Sequence, residues 1–254
     1  MSATYCYWSV CTGEYGSLME NCVRTARAAG VFKEFHVLAD RAIEGCECYD
    51  AMQCDMAHGL FKLHYLKVGM SRLLFDYFIW IDADTIFRRN PVDILGALGK
   101  SPIHVPLEEE LTEANEHKEW KDVSYGKLRQ VFIENGLTAP VYLSRSAFWI
   151  VQREAIDDVY EIAMRFWNQT KASGLLLSVD AALGYAMQIL CADPERHLLS
   201  ARPNLWASKD PGASAGLESN GDSRSICHLS YDANQCQAAV LHQSRNQLAQ
   251  ILIA

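Results

Sequence analysis

The 254-residue sequence predicts an α/β fold, a mostly parallel central sheet flanked by helices, formed as one domain. Three observations predict it. Tyr5–Val10, rich in aromatic and β-branched residues, is followed by a helical pattern and then by a second apolar run, Phe35–Ala39, so the chain opens β-α-β. Tyr77–Ile81 reads Tyr-Phe-Ile-Trp-Ile, apolar without alternation, as in a parallel strand covered on both faces. The sequence shows no internal repeat, and a length of this order is within the range of single α/β domains.

Each element follows from a local pattern. After the first strand, Cys11–Gly16 is a polar turn with two glycines. Ser17-Leu18-Met19-Glu20 fits a capping box, so a helix is expected from Ser17 to about Ala29, stopped by Gly30. Phe35–Ala39 forms the second strand and ends at Asp40. Apolar Leu63, Leu66, Met70, Leu73 and Leu74 predict a helix over about Leu60–Leu74, leading into the Tyr77–Ile81 strand. Glu108–Lys121 reads as an acidic, exposed segment. Val141–Val151 reads as two short strands separated by Ser144-Arg145-Ser146. Glu154–Trp167 is an amphipathic helix, and Ser178 caps another that reaches about Leu190. Ser208–Ser225, loaded with Gly, Ser, Asp and Asn, predicts a mobile loop. A strand over Ala238–Leu241, His242 and a short helix close the chain.

Composition narrows the function. Lys and Arg number 23 against 31 Asp and Glu, a net charge of −8. That balance argues against a bulk nucleic-acid binder, whose affinity comes from clustered cations. No block of five Lys/Arg occurs, which weakens an anionic-membrane reading. The longest apolar stretches fall well short of the ~20 residues of a transmembrane helix. The opening Met-Ser-Ala-Thr lacks a leader pattern and the nine cysteines are an odd number, so a cytoplasmic protein with reduced thiols is expected. Cys46, Cys48, Cys54 and His58 could supply a Cys3His zinc site, but their spacing is unlike the common zinc patterns. Incidental reduced cysteines are the expectation.

The most informative residues are Asp82-Ala83-Asp84, delivered by the apolar Tyr77–Ile81 strand. Carboxylates at i and i+2 of extended backbone point the same way, and ligands of open α/β sheets bind outside the carboxyl ends of the strands. Two carboxylates held this close repel unless a cation lies between them, and oxygen ligands suit Mg2+ or Mn2+. The bland reading is a strand-to-turn boundary whose aspartates cap backbone amides.

With these residues in view, Phe61–Ile94 resembles the donor-site region of GT-A-fold glycosyltransferases, especially family 8 and related bacterial sugar transferases. The matching pieces are Phe61-Lys62, the aromatic strand Phe75–Ile81, Asp82-Ala83-Asp84-Thr85 and Asn90-Pro91. The resemblance implies a GT-A domain over residues 1–254. About 1–100 would bind the nucleotide-sugar, and about 101–254 the acceptor and a C-terminal metal ligand. It implies Mn2+ (or Mg2+) bridging Asp82 and Asp84 to the diphosphate of a UDP-linked sugar, with Asp84 the direct ligand, Asp82 reaching ribose and metal, and Ala83 beside the donor. Val10, Cys11, Thr12 and Tyr15 would hold base and ribose, Asp40 would approach the base, and Lys62 would reach the donor.

By the same resemblance a late histidine completes the metal shell, and His228 and His242 both qualify. His242 is preferred because Arg245, three positions on, resembles the family's phosphate-binding lysine, with Ser244 between them. The usual His-x-x-Gly-x-x-Lys-Pro-Trp ending is absent. Asp180 resembles the aspartate lining the sugar pocket, although the helix macrodipole favours an acid there without any function. Ser144–Trp149 stands where the family has an Asn-x-Gly loop. The implied reaction is hexosyl transfer, with retention, to a saccharide, protein or lipid-linked acceptor. Two alternatives stay open: a Mg2+-dependent phosphatase of the haloacid dehalogenase type, and a catalytically silent nucleotide-sugar-binding module on the same fold.

Overall fold

The computed structural model describes residues 3–50, 64, 67, 73–87, 90, 102–105, 107–144, 147–191, 207–208 and 226–228. In chain order these form β1 (Tyr5–Cys11), α1 (Tyr15–Ala28), β2 (Phe35–Ala39), β3 (Glu47–Asp50), β4 (Tyr77–Ile81) and β5 (Thr85–Phe87). There follow β6 (Ile103–His104), β7 (Leu107–Glu110), β8 (Glu119–Trp120), β9 (Val123–Ser124), α2 (Tyr125–Glu134), β10 (Tyr142–Ser144) and β11 (Phe148–Gln152). The last are α3 (Ile156–Ala172), α4 (Val179–Leu190), β12 (Ala207–Ser208) and β13 (Ile226–His228).

The main sheet has the order β3-β2-β1-β4-β11-β6. β1 to β4 run parallel, while β11 is antiparallel to both β4 and β6. Helices cover both faces, which is why β1 and β4 read as continuous apolar runs. Tyr7, Ile79 and Ile81 join the core that includes Met19, Cys22 and Val23 of α1. Trp8, Phe78 and Trp80, one residue out of phase, join the core that includes residues of α2, α3 and α4. α1 buries Met19, Cys22, Val23 and Ala26, the i, i+3, i+4, i+7 stripe of an amphipathic helix.

α1 begins at Tyr15 with Glu14 as its N-cap, ahead of the capping box expected at Ser17. The reason lies outside the helix. Asp40 accepts the Gly13 N–H at 2.7 Å and fixes the preceding turn, and the Ser17 hydroxyl accepts instead from Arg41 at 3.4 Å. The far end is as expected: Gly30, at φ +80°, donates to the Arg27 carbonyl while Val31 donates to that of Ala26, the paired bonds of a Schellman ending.

Other expectations need correction. His64 and Lys67 are helical, but Leu73 and Leu74 lie beyond the helix end, and Leu74 is exposed. Glu108–Lys121 is mostly exposed, as expected, but it is also regularly structured. It contributes β7, a 3-10 turn over Glu113–Asn115 and β8. Glu109 accepts from Lys118 Nζ at 2.5 Å and Asn115 Nδ2 at 3.1 Å, so the acidic run is partly neutralised by its own neighbours. β3 and α2 were not expected: β3 lacks a clear sequence pattern, whereas α2 had one, the Ser124 cap and the apolar stripe Tyr125, Leu128, Val131 and Phe132. The 209–225 part of the expected loop and the Ala238–Leu241 strand lie outside the described residues.

α4 packs closely on β10. Gln188 accepts the Tyr142 N–H at 2.8 Å and donates to its carbonyl at 3.0 Å. A Cβ on Gly184 would run into the Ser144 hydroxyl, so only glycine permits this approach without movement. At the opposite edge, Asp76 clips the start of β4 to Thr4. It accepts from the Thr4 N–H at 2.7 Å and the Thr4 hydroxyl at 2.8 Å, and these bonds hold its carboxyl below the ordinary value of 3.8. The stabilisation from this carboxylate is therefore fully present above pH 3.8 and is lost as pH falls through the lower folded value. Melting temperatures of wild type and Asp76→Asn are expected to differ at about pH 6 and to converge below about pH 3.8. A difference that persists unchanged to about pH 2 would contradict this origin.

Candidate functional site

The paired aspartates leave β4 in a turn, not in extended backbone as the sequence pattern suggests. The Thr85 N–H closes onto the Asp82 carbonyl at 3.1 Å, so Asp82-Ala83-Asp84-Thr85 is a β-turn between β4 and β5. The i, i+2 same-face argument does not apply inside such a turn. What survives is the location, at the carboxyl edge of the parallel strands. The Asp82 N–H donates to the Ala147 carbonyl at 3.0 Å, and the Trp80 indole N–H donates to Asp82 Oδ1 at 2.9 Å. Ala83 is buried in the α1-side core. Asp84 is only 7% exposed, and its charge helps to raise the Cys22 thiol on α1, after burial and Cys46.

Strand order sets the neighbours. β1 lies between β2 and β4, so Val10, Cys11 and Thr12 end beside both Asp40 and the aspartate turn. Cys11 is 2% exposed, so its thiol, which burial pushes up, is closed to a ligand. Thr12 and Tyr15 are exposed and Val10 is half-buried. Asp40 uses one oxygen on the Gly13 N–H, and Gly13 takes φ +59°, so part of its role is to hold the turn. Arg41, missed in the sequence, lies against Gly16, closer than a Cβ would allow, and pairs with Glu20 at 2.7 Å.

On the other side, Ser178 caps α4 by accepting the Ala181 N–H at 3.3 Å, and Asp180 occupies the first turn. Lys121 donates to Asp180 and lies over the Trp120 ring at 5.1 Å. Lys121 and Asp122 form the β8–β9 tip with φ +49° and +66°, a left-handed pair unusual for residues other than glycine. The pairing of Lys121 with Asp180 left no sequence signal, because it is purely tertiary. Ala147, just ahead of β11, holds Asp82, and Ser144, at the end of β10, lies against Gly184, one helical turn from Asp180.

Lys62, His242, Ser244 and Arg245 lie outside the described residues, as do Cys54 and His58. The backbone of His228 is described. β13 pairs antiparallel with β5, and His228 stands opposite Thr85, the residue after Asp84. Burial pushes the Cys46 thiol up to about 12, with Cys48 adding to the rise. Among the described residues no group of three or more His, Cys, Asp or Glu could hold a metal ion. Asp82 and Asp84 offer two hard carboxylate donors from one short turn, a set whose chemistry suits Mg2+ or Mn2+ with other ligands completing the shell. Among the described residues no helix is long and apolar enough to cross a membrane.

The sequence matches no family model and no curated protein. The fold is shared with solved glycosyltransferases. A structure of the galactosyltransferase LgtC in complex with donor and acceptor sugar analogues superposes with a TM-score of 0.64 at 14% identity, over 96% of this chain and 95% of that one. An active-site variant of LgtC gives 0.61 at 12% identity, over the same shares of the two chains. The bifunctional glycosyltransferase WbbM gives 0.61 at 9% identity, over 92% of this chain and 46% of WbbM. The fold is thus the mixed α/β, mostly parallel arrangement of GT-A glycosyltransferases.

Proposed function

We propose that this chain is a metal-dependent glycosyltransferase that moves a sugar, with retention, from a UDP-linked donor to a saccharide, protein or lipid-linked acceptor. One observation carries the reading: in a fold shared with glycosyltransferases, an aspartate turn lies at the carboxyl edge of β4, beside the β1–α1 turn that Asp40 ties down. Asp82 and Asp84 would hold Mn2+ (or Mg2+). His242, preferred for Arg245 three positions on, and His228, whose backbone the β13–β5 pairing brings opposite Thr85, are the candidate third ligands. When bound, the cation supplies charge neutralisation for the departing diphosphate.

The chain's own residues do the rest. Val10, the Cys11 backbone, Thr12 and Tyr15 bind base and ribose, with Asp40 keeping their turn in place. Asp180, steadied by Lys121, orients the sugar. Lys62 would reach the donor, and Arg245, with Ser244 beside it, would clamp its diphosphate. Against the phosphatase alternative, whose aspartate strand opens its domain, β4 here follows a complete β-α-β unit.

Thermal-shift measurements with UDP and UDP-sugars, with and without Mn2+, test the reading. A ligand at a hundredfold its Kd adds about 2.7 kcal/mol to native-state stability. For a chain of this size that is a rise of roughly 5–10 °C, expected only with UDP and Mn2+ together. No shift with any nucleotide and metal would overturn the reading. Slow Mn2+-dependent hydrolysis of a UDP-sugar would exclude the silent module, and Mg2+-dependent hydrolysis of a phosphate ester that Asp82→Asn abolishes would favour the phosphatase.

A further inference from the structure

We infer that Trp80 is a positioning residue for Asp82: its indole N–H presets the carboxylate that meets the donor-bound cation. The inference rests on the proposed function above and deepens it.

Three tryptophans stand abreast across the middle of the sheet. Trp8 of β1 pairs in register with Trp80 of β4, and Trp80 with Trp149 of β11. They are 1%, 2% and 0% exposed. Trp80 stacks on Trp149 with ring centroids 5.9 Å apart and planes 27° from parallel. All three fill the same core, yet their N–H groups differ. Those of Trp8 and Trp149 are buried without an acceptor among the described residues, whereas that of Trp80 donates to Asp82 Oδ1 at 2.9 Å.

The difference has a chemical consequence. A leucine or phenylalanine at position 80 could fill this face of the sheet, but neither carries a donor at its edge. The stack on Trp149 restricts the Trp80 rotamer, which fixes where that donor points. The backbone of Asp82 is already held at both ends, by the Ala147 carbonyl and the Thr85 N–H. With the indole added, the remaining side-chain freedom of Asp82 is removed before any ligand arrives. The entropy of ordering that ligand group then does not count against binding. A neutral donor suits the task better than a lysine or arginine, because it orients the carboxylate without cancelling the negative charge a cation needs. Such hydrogen-bonded support typically changes metal affinity by about 10–100-fold when removed.

The test uses calorimetric titration of UDP with Mn2+ into the full chain carrying Trp80→Phe, Trp8→Phe, Asp82→Ala, or Trp80→Phe with Asp82→Ala. The expected result is that Trp80→Phe weakens binding roughly tenfold, within the range for such support. Trp8→Phe, which removes an equal volume from the same row, should change it less than about twofold. In the Asp82→Ala background the Trp80 change should add nothing, because its target is gone. Equal losses in Trp80→Phe and Trp8→Phe, or additive losses in the double variant, would overturn the positioning role. If Asp82→Ala itself binds like wild type, the metal-site reading fails and this inference with it. If Asp82→Ala is impaired and Trp80→Phe is not, this inference alone fails.

Trp80→Phe removes buried volume, so a second measurement leaves Trp80 in place. Of the six indole N–H signals in a 15N spectrum of the wild-type chain, the one displaced by Asp82→Ala should also be the one displaced by UDP with diamagnetic Mg2+. Displacement of different signals by the two perturbations would count against the inference.

Discussion

Replacing Asp84 by alanine is expected to weaken Mn2+-supported binding of UDP by roughly two orders of magnitude or more while leaving the fold intact. Asp84 occupies a turn, so no helix or strand ladder depends on its side chain, and alanine is compatible with that backbone. Its carboxylate is nonetheless 7% exposed at the carboxyl edge of β4, where burial of a charge is tolerated only with compensation. Loss of one of two carboxylate ligands should weaken metal-supported nucleotide binding by about 3 kcal/mol or more, on the order of a hundredfold. Calorimetry of UDP with Mn2+ reads the loss, and circular dichroism checks the fold. Unchanged binding in a folded Asp84→Ala protein would remove the metal site from the proposal.

The largest stability effect is expected at Trp149. The side chain is fully buried, faces Trp80 and lies between α-helices and the sheet, so Trp149→Ala leaves a cavity the surroundings cannot close. A loss of about 3–5 kcal/mol is expected, measurable by urea unfolding. Trp149→Phe should cost no more than about 1.5 kcal/mol. It keeps an aromatic ring and removes an N–H that is buried without an acceptor among the described residues, and this relief offsets part of the lost packing. A phenylalanine variant as unstable as the alanine variant would show that the indole N–H contributes a bond.

Much of the frame was legible because its signals are local. β2 and β4 match the predicted Phe35–Ala39 and Tyr77–Ile81 end to end. Their flanks are a polar Asp40 and the aspartate turn, and their apolar runs have no helical period. α4 was legible from Ser178, whose hydroxyl caps the helix as expected. The start of α1 was not, because Asp40, 27 residues from Gly13, decides where the turn ends and the helix begins. The Glu108–Lys121 segment was legible as exposed but not as structured, for a related reason. Its charge suggested solvation, but Glu109 finds Lys118 and Asn115 only once β7 and the following turn have formed.

For the candidate site, the sequence alone determined that two aspartates follow a buried apolar strand. Strand periodicity and residue chemistry suffice for that, since both act over a few neighbouring residues. Only the tertiary structure decided that the aspartates sit in a turn, that Trp80 holds one of them, and that Lys121 reaches Asp180. It also decided that His228 returns beside the turn through β13. Two of these pairings, Lys121 with Asp180 and His228 opposite Thr85, join residues far apart in the chain. They form only when sheet order and helix packing have excluded the other arrangements, and no local pattern encodes that selection.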